Sequence, residues 1–426
     1  MKTVILRFPC LLVYGCLGLI YPAIALATDD QASDQEGQVI RTDASEKNAG
    51  GEQVPNEATA KIAVPAQGNI GKLEFPRIEP NMSVTFRLKA PEARSVLLNG
   101  GEGLVAEPLA MTRVDDGTWT ATTRPAVPGF HYYWFIVDGL RVNDPASYSY
   151  FGWGRETSGV EIPEDGVTFY QRASGIAQGT VRTHWYESRI TGQWRRAHIY
   201  TPAGYDVDSE IRYPVLYLLH GAGESERSWI EQGRLQPILD NLIASRAAKP
   251  MIVVADSGYA THATPTQGKR NASTAAFEDV LLGELIPSVD KQFRTEAAAG
   301  SRAMAGLSMG AGQTLQIGLK HPESFAWIAA MSAPPRDAFD VTKDYDGIFS
   351  NASNFNSRVQ LLWLGAGTAE SRFHQTSLAM HEALKKNGIA SHFYSSIGTG
   401  HEWQTWRRSL HDLVPRLFVP RVPIVP

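Results

Sequence analysis

The sequence predicts an α/β domain on a mostly parallel sheet, preceded by a small all-β sandwich. Three observations lead there. The 426 residues are enough for two folded units, each with its own core. From about Glu79 to Ile162 the chain shows period-two alternation broken by Gly, Asn, Asp and Pro. After "EIPEDG" it switches to continuous apolar runs that alternate with helical stretches.

In chain order, residues 1–27 read as a signal peptide: Lys2 and Arg7, then an apolar run that ends in Ala25, Leu26 and Ala27, the small-x-small pattern of a cleavage site. The run is short for a membrane anchor, so export to the periplasm or beyond is expected, with no membrane span after cleavage. Cys10 and Cys16, the two cysteines, both fall in this segment. The mature chain would then hold no disulfide, thiol nucleophile or cysteine-ligated zinc. Residues 28–70 carry eight acidic and three basic residues, no aromatics and little apolar content, and read as a disordered acidic linker. The net charge of -4 shows no basic patch that would suit nucleic acid.

Residues 71–165 supply the sandwich through "SVTFRLKA", "SVLLNG", "GTWTATT", "FHYYWFIVDG" and "RVND". Trp119 and Trp134 are expected in its core, and Trp153, in the loop-like "YFGWGRET", at its surface. Residues 166–426 form the α/β domain. Its strands are "RAHIYTP", "YPVLYLLH", "MIVVADS", "SRAMAGLS", "AWIAAMS", "VQLLWLG" and "SHFYSSI". Among its helices are "LQPILDNLIASRAA", "AAFEDVLLGELIPSVDKQF" and "FHQTSLAMHEALKKNG".

Within that domain, "SRAMAGLSMGAG" places Gly306-Leu307-Ser308-Met309-Gly310 between a strand and a helix. This is the setting of a nucleophile elbow, where the two glycines let strand and helix approach closely and the serine hydroxyl projects above the sheet. A serine needs a base, which in an α/β-hydrolase follows the last strand; His401, after "SSIGTG", stands there. His262, His321, His374, His381 and His411 are read as solvated or structural. The acid that orients the imidazole belongs after the penultimate strand, where Glu370 is the carboxylate in "AGTAESRF"; Asp346, earlier in the chain, is the alternative. For the oxyanion, the Met309 N–H at the helix start is one donor. The loop "HGAG" offers a second, from Ala222 or Gly221. No metal or cofactor is required.

On these motifs the second domain resembles the esterase D group of carbohydrate esterase family one, which includes feruloyl and acetylxylan esterases. The resemblance spans "GQWRRAHIYTPAGYD", "YPVLYLLHGAGESERSWIEQGRLQ", "AMAGLSMGAGQTL", "LLWLGAGTAE" and "GTGHEWQTWRRSLHDLVPRLF". It implies Ser308 as nucleophile and His401 as base, with a carboxylate at Glu370, where that family usually carries aspartate. It also puts Glu231, Gln232 and Trp403 near the substrate. Glu402, beside the base, is read as facing water. The N-terminal segment is similar to the immunoglobulin-like carbohydrate-binding modules of family forty-eight and related early-set domains. Together these imply an exported serine esterase acting on a plant-wall polysaccharide or oligosaccharide ester, with a feruloyl ester first. The alternatives are acetylxylan deacetylation, siderophore triester hydrolysis and a non-catalytic carbohydrate-binding protein.

Overall fold

Alternating strands over Val64–Ile162 build two antiparallel sheets around one apolar core. The computed structural model describes residues 62–264 and 272–419. The expected signal peptide, both cysteines and most of the acidic linker lie outside the described residues. In the strand Val84–Lys89, Val84, Phe86 and Leu88 are buried while Thr85, Arg87 and Lys89 turn outward, as a one-sided strand must. The first sheet runs Val64–Pro65, Arg77–Ile78, Val84–Lys89, Thr118–Thr122, Thr112–Arg113. The second runs Ser149–Gly152, Arg155–Ile162, Gly129–Val137, Val96–Gly100, Leu109–Ala110, with Leu140–Val142 also paired to Gly129–Val137. Phe86 from one and Leu98, Tyr133, Phe135 and Val160 from the other meet between them.

Three expectations change here. Ordered pairing starts at Val64, inside the stretch expected to be linker, because Ala66 packs into the core and Asn69 bridges to Ser147. The segment "YFGWGRET" is a hairpin, and its turn is Trp153–Gly154 with both residues at left-handed φ, 59° and 74°. A tryptophan at such a position hides the turn from a reading that looks for Asn-Gly. Trp119 joins the core as expected. Trp134 is buried outside that core, beneath the Arg141 guanidinium at 3.6 Å and against Trp153 at 5.5 Å.

The second region carries eight strands: β1 (Thr180–Ser188), β2 (Gln193–Thr201), β3 (Val215–Leu219), β4 (Ile252–Asp256), β5 (Arg302–Leu307), β6 (Trp327–Met331), β7 (Leu361–Gly367) and β8 (His392–Ser396). Their order is β1-β2-β4-β3-β5-β6-β7-β8, with β3 to β8 mutually parallel and β1 and β2 antiparallel at one edge. The sequence did not reveal β1, whose alternation "TVRTHWYES" leaves one face in water and lacks a long apolar run. Every residue of β3, β4, β5 and β6 is buried, which is what continuous apolar runs require. Successive residues go to opposite layers. Tyr217, Val254 and Met304 meet the helices Ala272–Val280, Met309–Lys320 and Ser371–Lys386. Leu216, Val253 and Ala303 meet Leu235–Ala244 and Trp403–Leu413.

Phe130 of the N-terminal sheets belongs to this second layer, and Tyr132 and Tyr150 pack against it. The β-unit therefore sits on the apolar surface of the α/β unit instead of hanging from a linker. No helix among the described residues is long and apolar enough to cross a membrane.

Candidate active site

At the end of the central strand β5 the chain must reverse into the helix Met309–Lys320 within one residue. Ser308 is that residue, held at φ 51° and ψ -115°. For a non-glycine residue this is a strained conformation, and the surroundings fix it. A Cβ on Gly306 would lie 2.5 Å from the Gly310 carbonyl, and a Cβ on Gly310 would lie 2.5 Å from the His220 oxygen. Both glycines are thus required by contact distance, and the Ser308 N–H is tied to the Met331 carbonyl at 2.9 Å.

His401 Nε2 stands 3.0 Å from Ser308 Oγ, and Nδ1 stands 2.6 Å from Glu370 Oε2. The partners assign the tautomer: Nδ1–H donates to the carboxylate, so Nε2 accepts from the hydroxyl. The Phe373 ring stacks on the imidazole at 4.2 Å and the Trp406 edge meets it at 5.1 Å. Glu370 is buried, and its other oxygen accepts the Ser332 hydroxyl and the Gly367 N–H, both at 2.6 Å. Asp346 sits apart, in the segment Asp344–Ser350, where its charge acts on Lys320.

The loop after β3 approaches the same serine. His220 is buried and neutral; burial pushes its imidazole down to about 4. Its Nδ1–H donates to the Gly221 carbonyl at 2.8 Å, while Nε2 accepts the Gly258 N–H at 3.0 Å. The Gly221 N–H donates to Glu224 Oε2 at 3.1 Å, so it is occupied, which corrects the expectation that Gly221 is an available oxyanion donor. Met309 opens a helix, where the first N–H groups lack intrahelical partners.

Ser308, His401 and the Gly221–Glu224 segment of the loop line a cavity of about 960 Å³. Ala222, Ser308, His401 and Trp403 lie on its α/β wall. The opposite wall comes from the β-unit through the loop Gly100–Gly103 with His131, Tyr132 and Trp153. Gly103 sits so close that a Cβ there would meet His131 Cε1 at 2.5 Å and Glu402 Oε2 at 3.0 Å. His131, whose imidazole burial pushes down, donates Nε2–H to the Val127 carbonyl at 2.6 Å, and its Nδ1 lies 3.9 Å from Glu402. Glu402 consequently faces the cavity, not open water as expected. Trp403 lines the cavity as its expected role requires, but is itself buried between Trp229 and Trp406.

Two expected substrate residues lie elsewhere. Glu231 is paired with Arg227 at 2.9 Å, and Gln232 is fully buried, giving its amide to Tyr132 Oη at 2.7 Å and to the Phe151 carbonyl at 3.1 Å. Gln232 thereby ties the α/β unit to the β-unit, and neither residue lines the cavity. The five histidines read as structural are paired: His262 with Asp279, His321 with Glu278, His374 with Ser395, His381 with Ser391, and His411 against Phe169. Among the described residues no cluster of three or more His, Cys, Asp or Glu side chains is disposed to hold a metal ion.

The Esterase family model matches residues 188–417, which contain the elbow, the imidazole and the buried carboxylate. The chain belongs to this family. Over residues 188–417 this esterase is a carboxylic ester hydrolase. A curated relative from Xylanibacter ruminicola, an endo-1,4-beta-xylanase/feruloyl esterase, is 38% identical over 363 residues, 83% of this chain and 47% of the relative. The esterase thus spans about half the length of that relative. Two solved structures share its fold. The ferulic acid esterase of Anaeromyces mucronatus has a TM-score of 0.51 and 24% identity, covering 60% of this chain and 96% of its own. The enterobactin esterase of Shigella flexneri has a TM-score of 0.55 and 20% identity, covering 79% of this chain and 93% of its own.

Sequence reasoning missed His131, Glu224 and Ser332, and offered Tyr132 only as one of several aromatics that could meet a sugar ring. The only local signal was Glu224 in "HGAGESE", an acid inside a loop expected to be small and apolar.

Proposed function

We propose that this esterase hydrolyses hydroxycinnamoyl esters, feruloyl esters first, carried by a plant cell-wall polysaccharide. The observation that carries the reading is the 38% identity with a xylanase/feruloyl esterase over 83% of the chain, a span long enough to include both units. The open cavity agrees with it: its walls combine Phe130, Leu307, Trp153 and Trp403 with few charged groups, which suits an aromatic acyl group attached to a sugar.

In this reading His401 takes the proton from Ser308 as its Oγ attacks the ester carbonyl carbon. The tetrahedral oxyanion is stabilised by the N–H groups of Met309 and Ala222. Collapse breaks the bond to the sugar oxygen, which takes the proton from His401 and leaves as the hydroxyl, and an acyl-enzyme remains. A water activated by the same imidazole then releases the free acid. Glu370 holds the imidazole in the required tautomer and stabilises its cation. Trp153 at the β-unit rim is a contact for the sugar portion, and the β-unit acts with the cavity in binding carbohydrate. Export of the chain, with cleavage after Ala27, completes the proposal.

The test is a panel of methyl ferulate, feruloylated arabinoxylan, acetylated xylan and a cyclic catecholate triester, assayed with the purified chain and with Ser308→Ala. Release of ferulate by the wild type, abolished in the folded variant, supports the proposal. Preference for the acetylated or the catecholate substrate would replace the acyl assignment. Turnover retained by Ser308→Ala would overturn the mechanism.

A further inference from the structure

The loop from His220 to Glu224 has four backbone N–H groups after its histidine, and three are occupied. Gly221 donates to Glu224 Oε2 at 3.1 Å, Gly223 to Tyr259 Oη at 2.7 Å, and Glu224 to the Gly221 carbonyl at 3.3 Å. Only the Ala222 N–H has no partner among the described residues, and Ala222 lines the cavity beside Ser308. In a trans peptide the carbonyl and the N–H point in opposite directions. Because the Gly221 carbonyl is held by His220 Nδ1–H and the Glu224 N–H, the Ala222 N–H of that same peptide must turn the other way.

Glu224 is the unexpected member of this arrangement. Its carboxyl is buried, lines the catalytic cavity and has no cation bonded to it among the described residues. Oε2 takes the Gly221 N–H, and Oε1 accepts the Tyr132 hydroxyl at 3.1 Å. Tyr132 is itself fixed by Gln232 Nε2 at 2.7 Å and belongs to the β-unit. The hairpin tip of that unit adds a second brace, since the Gly154 N–H donates to the Gly223 carbonyl at 2.8 Å. A buried carboxyl group among neutral donors, the Gly221 N–H, the Tyr132 hydroxyl and the Trp403 indole, costs free energy that an apolar residue would avoid. What it supplies is a hydrogen bond on each side, one to the oxyanion loop and one to the β-unit.

We propose that Glu224 is a positioning residue for ester hydrolysis: it clamps Gly221 so that the Ala222 N–H faces the oxyanion, and it anchors that clamp to Tyr132 of the β-unit. The inference rests on the serine-esterase reading of Ser308. Glu224 touches no reacting atom; it acts through the loop. A donor that must meet the oxyanion and not the ground-state carbonyl acts on kcat more than on KM.

The experiment measures kcat and KM on methyl ferulate and p-nitrophenyl acetate for Glu224→Ala, Glu224→Asp and Glu224→Gln, normalised to sites titrated with a fluorophosphonate. Glu224→Ala is expected to lower kcat per titrated site by roughly 10- to 100-fold with KM changed by less than about threefold. Glu224→Gln keeps an acceptor for Gly221 and is expected to regain most of that loss. Glu224→Asp withdraws the carboxyl by one methylene, is expected to fall with Ala, and carries the test if the Ala variant does not fold. An unchanged kcat per site in Ala or Asp overturns the proposal, as does a Gln variant no better than Ala. Wild-type protein that neither titrates nor turns over either ester instead refutes the serine-esterase reading on which this one stands.

Discussion

Glu370 Oε2 lies 2.6 Å from His401 Nδ1, and the carboxyl's second oxygen is saturated by Ser332 Oγ and the Gly367 N–H. The Glu370 carboxyl is therefore aimed by its own neighbours, with one oxygen anchored in the protein and the other directed at the imidazole. A glutamate can serve here because Ser332 and Gly367 fix its extra methylene. Glu370→Gln should leave the fold intact but present an amide N–H or a weaker acceptor to Nδ1. The expected outcome is a fall in kcat of about 10³- to 10⁴-fold with KM nearly unchanged. A loss below tenfold in steady-state assays would remove Glu370 from the acid's role.

The elbow glycines make a sharper steric prediction. Gly310→Ala would put a methyl 2.5 Å from the His220 oxygen and 2.7 Å from Leu219 Cβ, at the junction of β3 and the loop that follows it. Backbone must shift, so a loss of about 1–3 kcal/mol in unfolding free energy is expected, together with most of the activity. Gly312→Ala, two residues further along the same helix, meets only Pro334 at 3.4 Å. Its melting temperature and its kcat should stay close to wild type. Equal damage from both substitutions would mean that the contact at Gly310 is not what requires glycine.

What the sequence disclosed and what it withheld divide along contact distance in the chain. The strand "SRAMAGLS", the elbow and its helix are neighbours in sequence, so their geometry follows from local pattern. His401 and Glu370 were legible because chain order on this sheet places them after the last two strands. Tyr132 and Trp403 approach within 3.4 Å across 271 residues, and no periodicity encodes such a meeting. The β-unit's share of the cavity, including His131 and Gly103, arises only when two separately patterned units pack. Gln232 misled for a related reason: a polar residue next to "SWIE" looks like a pocket residue until Tyr132 arrives to take its amide.

Glu224 also makes stability depend on pH. Burial raises its carboxyl from 4.5 to about 7 in the folded state. Between those values the folded chain binds more protons than the unfolded chain, so unfolding free energy must fall as pH rises. The full difference is on the order of 3 kcal/mol, present below about pH 4.5 and lost by the time pH passes about 7. Glu224→Gln cannot titrate. Urea unfolding of both proteins from pH 5 to 8 should therefore show their stability difference changing by most of that amount in favour of the variant. A pH-independent difference would show that the carboxyl is not held neutral.

A buried ion pair joins the two units. Arg407, on the helix that follows His401, is buried and bonds Glu161 of the β-unit bidentately, at 2.6 and 2.9 Å. It also donates through Nε to the Gln232 carbonyl at 2.8 Å and lies over the Tyr170 ring at 4.7 Å. Burial pushes the Glu161 carboxyl up, and the Arg407 guanidinium more than offsets this, holding it below its ordinary value. That contribution is present above the unfolded value and is lost as pH falls through the lowered one, opposite in sign to Glu224. Glu161→Gln leaves the guanidinium unneutralised inside the protein and should destabilise by about 3–5 kcal/mol. Replacing both partners together, Glu161→Leu with Arg407→Met, removes the buried charges and should recover most of that loss. Because the pair ties the β-unit to the helix next to the His401 imidazole, chemical unfolding should proceed in one transition in the wild type. Two resolved transitions, or a double variant no more stable than Glu161→Gln, would show that the pair does not couple the units.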